Sequence, residues 1–84
     1  MFPVKPIKFD GPAFYRIIVQ GILPEIDYPY FKGLKIVVEK KSRKGSTTIT
    51  GTITDQAALA GILNTLYDFH LSILLVEYID ESGK

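Results

Sequence analysis

The hydrophobic period of this chain changes twice along its length. From Ala13 to Thr54 apolar side chains recur mostly at every second position. Between Asp55 and His70 they recur at Leu59, Ile62, Leu63 and Leu66, and from Ser72 to Ile79 the extended pattern returns. A period of two marks strands and a period near 3.6 marks a helix with one apolar stripe. The chain is therefore expected to be α+β, with strands before and after a single helix.

Ala13 to Gly21 reads as the first strand, with Tyr15, Ile17 and Val19 on one face and Phe14, Arg16, Ile18 and Gln20 on the other. Leu34 to Lys40 is the second, with Leu34, Ile36 and Val38 inward and Lys35, Val37 and Glu39 outward. Lys41 to Gly45 is a turn. Thr47 to Thr54 is the third strand, in which Thr47, Ile49, Gly51 and Ile53 alternate with four threonines. A short glycine-containing turn between two such runs signals a β-hairpin. In Ser72 to Ile79, strict alternation sets Ile73, Leu75 and Ile79 against Leu74, Val76 and Tyr78. Both faces are apolar, so this last strand is expected to be covered on both.

Asp55 to His70 is the helix. Thr54 or Asp55 can cap it, because a side-chain oxygen there accepts from an otherwise orphaned N–H of the first turn. Gly61 inside it costs about 1 kcal/mol relative to alanine, and close approach of helix to sheet is the expected reason. His70 stands where the helix ends, in a place that favours the left-handed conformation, which histidine tolerates. The connector Ile22 to Gly33 contains Pro24 and Pro29, which rule out a long helix. Its aromatic run Tyr28-Pro29-Tyr30-Phe31 is expected to pack over an end of the core. Met1 to Pro12 reads as an irregular arm with a short edge strand over Val4–Phe9, and Asp80 to Lys84 as a frayed tail.

The order β-β-β-α-β, with a crossover joining the third and fourth strands and the first strand between them, describes a mainly antiparallel sheet with the helix on one face. It is a ferredoxin-like half or variant whose first helix is replaced by the proline-rich connector. A meander with the last strand beside the first is the alternative. Eighty-four residues make one domain, 1–84. The chain has no cysteine, so disulfides and thiolate metal sites are excluded, and stability must come from apolar burial. Its 46% hydrophobic content supports that burial, and leaves some apolar surface for another subunit. The net charge of +1 pulls the protein towards neither nucleic acid nor membrane. No signal peptide or membrane-length apolar run is present, so a cytoplasmic protein is expected.

From Tyr15 onward the chain resembles a family of short, uncharacterised bacterial proteins. The resemblance is carried by Tyr15-Arg16-Ile17 with Val19-Gln20-Gly21, by Phe31 with Gly33-Leu34, and by Thr47 to Gly51. Asp55-Gln56-Ala57-Ala58-Leu59 with Gly61-Ile62-Leu63, then Asp68 and Leu71, complete it. This chain departs from the pattern in having Tyr28 and Phe31 where tryptophans are usual, and His70 where glycine is common. The resemblance implies a shared fold and transfers no activity.

No catalytic constellation stands out, so an enzyme is not expected, and neither is a cofactor or metal. His70 is the only histidine and has no positioned partner in the sequence; its bland reading is a helix terminus. Glu77 lies in an otherwise apolar strand, which an edge position in water explains. Lys40, Lys41, Arg43 and Lys44 form a basic hairpin tip able to meet phosphates, and with Tyr28, Tyr30 and Phe31 a base-stacking site. Charged tips also keep hairpins soluble. The leading expectation is a non-catalytic protein-interaction or oligomerising module, using the open sheet face or the aromatic loop. A nucleic-acid-binding accessory protein is the alternative. A small-molecule-sensing regulatory domain is a further one, by fold analogy.

Overall fold

A computed structural model describes residues 12–79. The strand expected over Val4–Phe9, the rest of the arm before Pro12 and the tail after Ile79 lie outside the described residues. Strands β1 (Ala13–Gln20), β2 (Lys35–Glu39), β3 (Ser46–Ile53) and β4 (Ser72–Ile79) form one sheet in the order β2-β3-β1-β4. Every neighbouring pair is antiparallel. β3 and β4 both run against β1, so they are parallel to each other, and helix α1 (Gln56–Asp68) is the crossover between them. β1 pairs with β3 and not with β2, which excludes the meander. The proline-rich connector holds a 3-10 helix, Glu25–Phe31, where a ferredoxin-like fold has its first long helix; Pro29 lies inside it.

One sheet face is closed. Tyr15, Ile17 and Val19 of β1 and Ile49 and Ile53 of β3 are buried there, under Leu66 of α1 and under Leu23 and Phe31 of the connector. Each such side chain contributes about 1.5–3 kcal/mol when fully withdrawn from water. Leu59, Ile62 and Leu63 complete the helix stripe as half-buried residues packed on this cluster. Tyr78 sits edge-on to Tyr15, with ring centroids 5.8 Å apart. Burial, and beyond it the nearby Tyr78, raise the Tyr15 hydroxyl above the usual tyrosine range.

The connector is held to the sheet by one hydroxyl. Thr47 is completely buried. Its Oγ1 donates to the Gly21 carbonyl at 2.8 Å and accepts from the Leu23 amide at 3.0 Å. Gly45 closes the same corner: its carbonyl accepts from the Gly21 amide at 2.9 Å, and its φ of 75° lies in the left-handed region that favours glycine. A Cβ on Gly45 would lie 2.3 Å from the Ile22 side chain. At the other end of β3, Leu34 fills the space left by Gly51, where a Cβ would meet its Cδ2 at 2.6 Å.

Both helix ends follow the sequence reading. Asp55 Oδ1 accepts from the Ala58 amide at 2.8 Å. At the other end His70 is left-handed, with φ 63°. The His70 amide donates to Tyr67 O and the Leu71 amide to Leu66 O, which together form a Schellman motif. The expected role of Gly61 is overturned. Gly61 is exposed, and a Cβ built there meets nothing within 4 Å. The helix approaches the sheet through its other face.

The last strand also departs from its expected pattern. Ile18 faces Leu75 but Val19 faces Ile73, so Leu74 has no residue opposite and forms a β-bulge. Ile73 therefore shares the closed face with Val76 and Tyr78, while Leu75 joins Glu77 and Ile79 on the other side. β4 is not covered on both faces: Leu74 and Leu75 are 58% and 39% exposed.

Two stability predictions follow from this packing. Gly61→Ala raises the free energy of unfolding by about 1 kcal/mol, read from the urea midpoint, because the new methyl meets open space and the backbone loses entropy cost. A destabilised variant would show an unseen close approach. Thr47→Val lowers stability by about 1–3 kcal/mol, because it strands the buried Leu23 amide and the part-buried Gly21 carbonyl together. An unchanged midpoint would remove the hydroxyl from the account.

Candidate interaction surface

The face opposite the helix is defined by strand register. Its side chains form rows running across the sheet from β2 to β4. One row is Val37, Thr48, Ile18 and Leu75; the next is Lys35, Thr50, Arg16 and Glu77. Thr52, Phe14 and Ile79 form a third row, and Glu39, Ser46, Gln20 and Ser72 a fourth. The threonine row of β3 thus lies on this face, as the alternation of Thr48, Thr50 and Thr52 implies.

The surface is apolar in one row and charged in the next. Val37 is 45% exposed and Leu75 39%. Arg16 Nε donates to Glu77 Oε1 at 2.9 Å, and its Nη2 bonds the same oxygen. Both side chains remain about half exposed to solvent, so water screens this pair and its net worth is small. Glu77 is therefore the anionic half of a cross-strand pair on the edge strand β4. Neither Arg16 nor Thr47 was among the expected site residues. The pairing of Arg16 with Glu77 spans 61 positions and leaves no local trace. The signal for Thr47 was present, since a threonine stands on the apolar side of an alternating strand.

The sequence candidates are placed as follows. Phe31 is 2% exposed and belongs to the core. Tyr28 is half-buried and packed against it. Tyr30 is 68% exposed and meets Phe69 of the helix C-terminus edge-on, with centroids 5.6 Å apart. Lys40, Lys41, Arg43 and Lys44 are all exposed in the turn, and Lys41 Nζ lies 3.4 Å from Glu39 Oε2. The turn leaves the sheet after β2, whereas the segment ending at Phe31 enters before it. The five residues of β2 hold the two about 15 Å apart. The structure does not assemble the basic tip and the aromatic run into one base-stacking site, because a rigid strand separates them and Phe31 is buried.

A shallow depression of about 180 Å³ opens between the connector and the start of α1, lined by Tyr30, Lys32, Leu34, Thr54, Ala58 and Ile62 among others. Sites for drug-sized ligands run to about 300–1,000 Å³. Among the described residues no three His, Asp or Glu side chains gather as metal ligands, and no helix is long and apolar enough to cross a membrane.

Residues 14–77 match a family model described as a domain of unknown function, DUF8691. No curated protein and no solved structure matches the chain. The matched stretch runs from the second residue of β1 to Glu77 of β4, so it contains the connector, the helix and all of the sheet but Ala13, Tyr78 and Ile79. By this match the chain belongs to the DUF8691 family.

Proposed function

We propose that this domain is a non-catalytic association module that acts through the open sheet face, in the cytoplasm of a bacterium. The observation that carries the reading is the exposure of Val37 and Leu75 on a side of the sheet that neither the helix nor the connector reaches. Exposed large apolar side chains gathered on one face mark a surface used for association. Scattered single ones need no explanation, but these two stand in one register row with Ile18. The cysteine-free composition is compatible with a reducing compartment.

Two other readings rank lower on specific grounds. Nucleic-acid binding would rest on the basic turn alone, without a stacking platform beside it and with a near-neutral protein behind it. For small-molecule sensing, the depression beside the connector, formed by described residues, is smaller than ordinary ligand sites.

The reading is tested by thiol labelling in cells. Leu75→Cys and Lys41→Cys place single reporters on the open face and on the exposed turn of a chain that has no other thiol. The expected outcome is slow labelling of the cysteine at 75 and fast labelling at 41 in intact cells, with equal rates after denaturation. Equally fast labelling at both positions in cells would overturn the association role.

A further inference from the structure

We infer that the occupant of the open face is a second copy of this chain, packed face to face about a two-fold axis that runs parallel to the strands between β3 and β1. The inference rests on the association reading above and adds the partner and the geometry. Such an axis places β2 over β4 of the second copy and β3 over β1, with every row lying over itself reversed. Lys35 then faces Glu77 of the second copy, and Val37 faces Leu75. Each contact occurs twice, once at each edge, as an isologous interface requires.

Charge favours this arrangement. The face carries Lys35 and Arg16 against Glu77 and Glu39, so it is balanced, and the two signs lie at opposite ends of one row. A pair of charges moved out of water must gain further polar partners to offset desolvation. With the axis along the strands, the half-exposed Glu77 gains Lys35 as a second cation beside Arg16. An axis across the strands, centred on the Val37 row, would set Lys35 over Glu39 but Arg16 and Glu77 over the neutral Gln20 and Ser72, so Glu77 would gain no second cation.

The dimensions also fit. Three strands of eight residues and β2 of five, spaced about 4.8 Å apart at about 3.4 Å per residue, project a face of roughly 470 Å². Side-chain relief adds to that, towards the roughly 600–800 Å² per partner found in stable complexes. Two sheets packed in this way lie about 10 Å apart, with strands within about 30° of alignment.

The absence of cysteine makes the geometry directly testable. Within one chain positions 37 and 75 are separated by three strand spacings, about 14 Å, beyond the reach of a disulfide. Any bond between them joins two copies. In the full chain carrying Val37→Cys with Leu75→Cys, mild oxidation is expected to give a covalent dimer as the main species. Glu39→Cys with Leu75→Cys, one row out of register, is expected to give little. The native mass spectrum of the unmodified protein is expected to show a dimer. Lys35→Glu, an exposed change that leaves the circular dichroism intact, should weaken dimerisation at least about tenfold by setting like charges over each other at both edges.

A dimer in which Val37→Cys alone cross-links would overturn the axis. A dimer with no link at 37 or 75 would place assembly on another surface. A monomer at every concentration, with the cysteines at 37 and 75 alkylated freely, would overturn the second copy but leave the face open to a different protein. A monomer with both thiols shielded would mean that the chain's own residues 1–11, which include Phe2, Val4, Ile7 and Phe9, cover the face. That result would overturn the association reading as well.

Discussion

The Thr47 hydroxyl is the contact on which the two-sidedness of this sheet depends. A four-stranded sheet needs more cover than one thirteen-residue helix supplies. The remainder comes from the connector, which has no long helix of its own and therefore little internal rigidity. Thr47 Oγ1 bonds both the carbonyl of Gly21 and the amide of Leu23, so it satisfies the chain as it turns off β1 and starts back over the sheet. Leu23 and Phe31 then enter the core together with Leu66. The hydroxyl is fully buried, where a lost partner is most costly.

Closing one side in this way leaves the other to solvent. The connector and the helix are both on the Tyr15–Ile17–Val19 side, and no described segment is left over for Ile18, Val37 and Leu75. The bulge at Leu74 sharpens the division. It moves Ile73 onto the closed face beside Val76 and puts Leu75 on the open one. Strict alternation back from Leu75 would have put Ile73 on the open face and taken it away from the core cluster it packs against.

Much of the fold was legible because it is encoded locally. The hairpin of β2 and β3 announced itself through two alternating runs around a glycine turn. The caps at Asp55 and His70 were legible because each needs a side chain or backbone conformation that few residues supply. What was illegible depends on residues far apart. A bulge leaves no mark in an all-apolar strand, since Ser72-Ile73-Leu74-Leu75-Val76 reads equally well in either register. The Arg16–Glu77 pair exists only once β1 and β4 are adjacent. Gly61 misled for a different reason: a glycine in a helix invites a packing explanation, and this one faces solvent. The aromatic connector was correctly placed over the core, but its pattern did not tell that Phe31 would be buried and Tyr30 exposed.

The central claim is that the connector is an integral part of the closed face and not a loop resting on it. Native-state hydrogen exchange at the Leu23 amide tests this most directly, because that amide is bonded only if the Thr47 hydroxyl holds the connector down. The account predicts that Leu23 exchanges with the same opening free energy as the amides of β1 and β3, as one cooperative unit. Exchange of Leu23 through a separate, lower-energy opening while the sheet stays protected would contradict it.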